Sequence, residues 1–302
     1  MTNRLSRRRL LLGGGTLALL AGCGFDAAKP QPLLVNLFST DRVLVAGRPQ
    51  RVPFAVIDNK AVQLADDAEL PVRILQAAKT IDTLTVQARI VNHEHVDPTI
   101  NPNHQHSDLL RYFALRAEFP HPGIYDLEVD FGSAGVASLP VQAFDPAEVE
   151  VALPSAPLPQ LDTPTLANPG GINPLCTRAP EPCPLHRLSV AEVLDRNRPL
   201  ALLVATPALC QTAYCGPVLE TLLGEAANFP ALTMIHLEVY ANAADVGGNY
   251  NDPNLELAQP VKDLGLTFEP SLFLVGADGV IADRIDNLFD ATELRAGLES
   301  LR

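Results

Sequence analysis

The chain has 302 residues, 47% of them hydrophobic, and a formal net charge of −13. That length and apolar content allow two domains of ordinary size, each with its own core. The first 23 residues hold four arginines and no acid, so the rest of the chain carries −17. A body so acidic repels nucleic acid and anionic lipid headgroups, and contact with a membrane requires an anchor. The N-terminus supplies a candidate. Arg7-Arg8-Arg9 is followed by an apolar run from Leu10 to Leu20 and by the small-residue end Ala21-Gly22-Cys23. Basic, apolar, small-residue order reads as a signal peptide, and the apolar run is too short to span a bilayer.

Leu20-Ala21-Gly22-Cys23 resembles the bacterial lipobox. The resemblance implies cleavage before Cys23, lipidation of its thiol, and a protein held at the cell membrane on the extracytoplasmic side. Ser6-Arg7-Arg8-Arg9-Leu10-Leu11 also resembles a twin-arginine export signal, so that route and the general secretory one both stay open. Residues 1–23 are thus read as leader and 24–32 as a tether.

From Leu33 the pattern turns to short alternating segments separated by Gly, Pro, Asp and Asn. Strands are expected near Val52–Ile57, Val72–Leu75, Leu84–Val91, Tyr112–Phe119, Tyr125–Phe131 and Val136–Phe144, which together argue an all-β sandwich over 33–145. Pro122-Gly-Ile-Tyr125 resembles the corner of immunoglobulin-like domains, where a Tyr near a strand start pins the turn. Within this region His93, His95, His104 and His106 account for four of the seven histidines of the chain. His-x-His on a strand presents both imidazoles to one face, and imidazole suits copper, zinc or nickel. The alternative is a polar, solvated hairpin loop.

Residues 146–185 contain ten of the 27 prolines, a density no regular element survives, and read as a semi-rigid linker. Its end carries Cys176, Cys183 and His186. A zinc site needs four ligands, and no fourth is evident nearby. A local Cys176–Cys183 disulfide is the expected alternative. With Cys23 lipidated, four cysteines remain in two close pairs, 176/183 and 210/215, and three connectivities are formally open.

The last segment, 186–302, alternates strand and helix patterns. An apolar run, Leu200–Ala205, leads into Cys210-Gln-Thr-Ala-Tyr-Cys215-Gly-Pro-Val218 and then into helical spacing. A cysteine at a helix start meets free amides and the helix dipole, which lower a thiol pKa. Cys215 is therefore expected to be the more acidic thiol and Cys210 its resolving partner. Tyr214-Cys215-Gly216-Pro217-Val218 resembles the Trp-Cys-Gly-Pro-Cys site of thioredoxins, with Val218 in place of the second cysteine. Phe268-Glu269-Pro270-Ser271 resembles the cis-proline segment of that family, and the following hairpin and closing helix keep its order. The resemblance implies an α/β thioredoxin-like domain over 186–302, with Cys215 and Pro270 as catalytic residues and protein thiols or disulfides of the cell envelope as partners; with Val218 at the second cysteine's place, Cys210 is expected to serve instead from the preceding loop. The resemblance implies no cofactor. Strand Leu200–Ala205 lacks the buried acid of thioredoxins. Copper chaperones of the Sco type share the fold but use Cys-x-x-x-Cys and a distant His, whereas the spacing here is longer, and His236 reads as a packed core residue. Two alternatives remain: a non-catalytic surface module with structural disulfides, and a Sco-like copper-handling protein whose imidazole comes from the His-rich loop.

Overall fold

The computed structural model describes residues 31–39, 41–58, 69–96, 105–212 and 214–302, with backbone alone for 92–96 and 105–109. The leader with Cys23, and His104, lie outside the described residues, as do the side chains of His93, His95 and His106.

The N-terminal half is one antiparallel seven-stranded sheet. Its strands are β1 (Leu33–Asn36), β2 (Pro49–Ile57), β3 (Glu69–Gln76), β4 (Lys79–Val96), β5 (Gln105–Glu118), β6 (Gly123–Asp130) and β7 (Val136–Ala143), in the order β1-β2-β5-β4-β3-β6-β7. The long β4 joins the two flanks. Its residues 79–87 pair with β3, and residues 88–96 pair with β5. Alternation of buried and exposed positions is regular in β6 and β7, so one face meets the core and the other meets solvent. Tyr125 closes the corner before β6: its hydroxyl accepts the His121 amide at 3.0 Å and donates to the His121 carbonyl at 2.7 Å.

The C-terminal part is smaller and mixed. It comprises α1 (Val190–Asp195), β8 (Leu200–Ala205), α2 (Cys215–Glu225), β9 (Thr233–Glu238), α3 (Gln259–Asp263), β10 (Ser271–Val275), β11 (Ile281–Asp286) and α4 (Ala291–Glu299). The four strands run β11-β10-β8-β9, with β8 and β9 parallel and the other pairs antiparallel. This is the order of elements expected from the thioredoxin resemblance, and the Glu269–Pro270 bond that opens β10 is cis. Helix α1 was not anticipated. It starts on a capping box in which Ser189 and Glu192 satisfy each other's backbone amides.

Every residue of β8 is buried, as a central strand covered on both faces requires. Its side chains divide by parity. Leu200, Leu202 and Val204 join the core shared with the large sheet, while Ala201, Leu203 and Ala205 pack under α2 and α4. Strand β10 divides the same way, with Phe273 and Val275 on the first side and Leu272 and Leu274 on the second. The large sheet and the α/β part therefore share one apolar core.

Residues 146–185, read as a linker, contain only a single 3₁₀ turn, at Pro146–Glu148, yet do not hang free. Val151, Leu158, Leu161 and Ile172 are buried, and the segment straps the α/β part. Its backbone bonds Leu264, Ile281 and Gly279. Gly265, with φ +66°, passes directly under the Glu150 carbonyl, where any Cβ would collide with backbone. The Asn-, Asp- and Gly-rich stretch 241–253 after β9 is held too. Asn242 brackets it through the Asn254 carbonyl and the Glu256 amide, and Ala241 and Ala244 exchange backbone bonds with Asn173 of the strap.

Candidate functional site

Two groups of thiols lie near the C-terminal end of β8. The first is the dithiol. After Ala205 the chain loops through Cys210 and enters α2 at Cys215. Cys215, Val218, Leu219 and Leu222 are all fully buried, a stripe at i, i+3, i+4 and i+7 that turns the Cys215 side chain into the core under α2. Cys210 is only partly buried, and its sulfur folds back over the helix start, where it accepts the Cys215 amide at 3.3 Å and lies 3.3 Å from the Thr212 hydroxyl.

That geometry favours the opposite order of acidity from the one expected. The Cys215 thiol and the Thr212 hydroxyl, with the amides of both residues, stabilise a thiolate on Cys210 and bring its pKa down to about 6 despite partial burial. Burial, followed by the negative charge that gathers on Cys210, pushes Cys215 well above the ordinary thiol range. Cys210 is the acidic, accessible thiol, and Cys215 is the buried one. Both are free thiols in the structure. Beside them stands a group whose role the sequence did not disclose. Glu269, the residue before cis-Pro270, interacts electrostatically with both thiols, and burial and then the Cys210 charge lift its carboxyl to about 7. A carboxyl lifted to about 7 by burial and the Cys210 charge is of the kind that takes or returns a proton.

The second group departs from expectation further. Cys176 and Cys183 are free thiols, not the expected disulfide, and His186 and His236 converge on them. All four side chains are buried, and their ligand atoms lie within 4.8 Å of one another. His236 Nδ1 is 3.5 Å from Cys176 Sγ and 3.4 Å from Cys183 Sγ, and His186 Nε2 is 3.3 Å from Cys183 Sγ. His236, expected as a packed core residue, is buried in β9 but serves as the missing fourth member. The Cys183 thiol and the two imidazoles hydrogen-bond Cys176 and hold it below the ordinary thiol range, while Cys183, as donor and neighbour of that charge, is pushed up. Thr177 anchors the loop. Its amide and hydroxyl bond the buried Glu238 carboxylate at 2.9 and 2.8 Å, and its hydroxyl oxygen also accepts the Ala208 amide at 3.2 Å. These four groups could hold a metal ion.

One peptide touches both groups. The Ala205 carbonyl accepts from His236 Nε2 at 3.0 Å, and the amide of the same peptide unit, on Thr206, bonds the Cys215 sulfur.

No family model matches the chain, and no curated protein does either. A solved structure of MTB DsbF in its mixed oxidised and reduced forms is similar over 35% of this chain and 82% of that one, at 19% identity and a TM-score of 0.26. At that score the likeness carries no functional weight, and what the site can do follows from its own groups.

Of the residues singled out from sequence, Cys210, Cys215 and the segment at Pro270 come together, and so do Cys176 and Cys183. Of the histidines expected as a copper or zinc site, His104 and the side chains of His93, His95 and His106 lie outside the described residues; the backbone of β4 and β5 pairs His95 opposite His106.

Proposed function

We propose that the protein exchanges thiols and disulfides through Cys210 and Cys215. The observation that supports this best is the Cys210 sulfur, partly exposed and seated on the first amide of α2, with a buried partner thiol within hydrogen-bonding range. The Cys210 thiolate attacks one sulfur of a substrate disulfide. A Cys210–substrate bond forms, and the other substrate sulfur leaves as thiolate. Cys215 then loses its proton to the Glu269 carboxylate and attacks the Cys210 sulfur. The Cys210–Cys215 bond closes, and the second substrate thiolate departs. The substrate gains two electrons and the pair loses two; the reverse sequence oxidises a dithiol.

The remaining elements of the proposal concern place and partners. Cleavage before Cys23 and lipidation of its thiol anchor the chain at the extracytoplasmic face of the membrane, and its partners are protein thiols or disulfides of the cell envelope. The seven-stranded region serves as an immunoglobulin-like module that presents the thioredoxin-like part. An intact-mass measurement on protein extracted from membranes tests the anchor: the expected mass is that of a chain starting at a diacylated Cys23. An unmodified Cys23, or cleavage elsewhere, removes this part of the proposal.

The chemistry is tested by equilibrating the chain in glutathione buffers and mapping its peptides after alkylation. Cys210 and Cys215 are expected to interconvert between thiols and a mutual disulfide with one midpoint, between about −270 and −120 mV, the span of dithiol exchange proteins. A pair that stays oxidised throughout that range is a structural disulfide, and exchange is then excluded.

A further inference from the structure

We propose that Cys176, Cys183, His186 and His236 form a closed, four-coordinate Zn²⁺ site that pins the proline-rich strap to the α/β part, independently of the chemistry at Cys210. The distances fit such a site. With Zn–S of about 2.3 Å and Zn–N of about 2.0 Å, the sulfur-to-nitrogen edge of a regular tetrahedron is about 3.5 Å. The three sulfur–nitrogen separations given above run from 3.3 to 3.5 Å. The donor set fits as well, since two thiolates and two imidazoles in tetrahedral array select zinc over the harder divalent ions. Two thiolates also neutralise the ion, so a burial that would penalise a bare charge places no net charge in the core.

Ring orientation is decided by the second contact of each group. The Ala205 carbonyl can only accept, so His236 Nε2 donates to it, and Nδ1, which faces both sulfurs, is the nitrogen left to bind the ion. The Cys183 amide bonds Cys176 Sγ at 3.4 Å, as a thiolate ligand prefers. Glu238 fixes Thr177 next to Cys176, so the loop geometry does not depend on the ion alone. The Nδ1 of His186 has no hydrogen-bond partner among the described residues.

Binding displaces one proton from each thiol to solvent and changes no oxidation state. The ligands come from the strap, the turn before α1 and strand β9, so the ion would tie three separate stretches of chain together. It also occupies both thiols that a Cys176–Cys183 disulfide would consume, and the two outcomes exclude each other.

The test uses the whole reduced chain with ZnCl₂, desalted and then measured by elemental analysis and native mass spectrometry. One zinc per chain is expected, with a mass gain of the metal less two protons. Cys176 and Cys183 should resist alkylation until a chelator is added, while Cys210 reacts at once. Cys176→Ser and His236→Gln should weaken zinc binding by more than the about 10–100-fold that loss of an outer-shell contact costs. Should those variants fail to fold, Co²⁺ added to the unaltered chain decides the matter through tetrahedral d–d bands with thiolate charge transfer. Cys210→Ser should keep the zinc, which separates this site from the exchange reaction. A Cys176–Cys183 disulfide in the folded chain, six-coordinate cobalt, uptake of copper to the exclusion of zinc, or thiols equally reactive with and without chelator would each overturn the site.

Discussion

Cys215→Ser should capture substrate proteins as stable mixed disulfides on Cys210, whereas Cys210→Ser should capture almost none. Accessibility and acidity both favour Cys210: its pKa lies at about 6, and Cys215 is fully buried with its thiol raised. In the reduced, unaltered chain, alkylation of Cys210 should rise with pH to half its maximum near 6 and be flat above about 8. Cys215 should begin to react only far above that. The sign follows from the thiolate being the reactive form, so the group with the lowered pKa gains reactivity first as pH rises. Serine at 215 can still donate a hydrogen bond to the Cys210 sulfur, and the midpoint should stay low. Alanine cannot, so Cys215→Ala should move the midpoint up by about one pH unit, roughly the worth of one hydrogen bond to a charged group. Equal trapping by the two serine variants, or coincident alkylation profiles for the two thiols, would reverse the assignment of roles.

Glu293→Ala should be among the most destabilising single substitutions in the chain. Arg51 of β2 and Glu293 in the first turn of α4 meet in a bidentate pair at 2.7 and 2.8 Å, with 3% and 5% of their side chains exposed. The same guanidinium donates to the Asp286 and Leu288 carbonyls, and the Tyr112 hydroxyl donates to Glu293 at 3.0 Å. The cluster is where the large sheet meets the α/β part, far apart in sequence. Removing the carboxylate leaves Arg51 buried and uncompensated, a loss of about 3–5 kcal/mol. Replacing both partners with apolar residues of similar size should cost far less, because no charge is then stranded. Urea unfolding of Glu293→Ala and of Arg51→Met with Glu293→Leu measures the difference. A single variant within about 0.5 kcal/mol of the parent chain would show that the pair does not join the two parts. Acid should act in the same direction. Burial raises the Glu293 carboxyl, but Arg51, Arg89 and Arg116 together outweigh it and leave its pKa below the usual range. A depressed carboxylate contributes its full stability above the unfolded value of about 4.3 and loses it as pH falls through the folded one.

The regular elements were largely legible because their signals are local. The period-2 runs of β5, β6 and β7 and the solid apolar run of β8 report how many faces are covered, and the structure covers those faces. Two shortfalls were local as well. The Ser189-to-Glu192 capping box that starts α1 was there to be read, and so was Pro260 in the first turn of α3, which marks the start of that helix at Gln259. The burial of Cys215 also had a signal. Cys215 opens the stripe Cys215, Val218, Leu219, Leu222, which marks it as facing the core. The helix start was located correctly; what remained open was which sulfur would reach its amide, and that depends on how the loop from Thr206 to Tyr214 folds back.

Composition and spacing determined the classes of element, the dense prolines of the strap without strand or long helix, and two pairs of cysteines; the cis-proline segment was implied only by the resemblance to thioredoxins. Tertiary structure alone decided what those cysteines face. Cys176, Cys183 and His186 sit within eleven residues of one another, but His236 is fifty residues further on and reaches them only because β9 lies beside β8. Likewise, the strap reads as a semi-rigid linker because proline forbids regular hydrogen bonding, yet its apolar side chains are buried in the core that also holds Ile281, Leu264 and Leu266. Periodicity reports a residue's local face; partners distant in sequence meet only through packing, and a ligand set, a buried ion pair or a carboxyl beside a thiol is made of such partners.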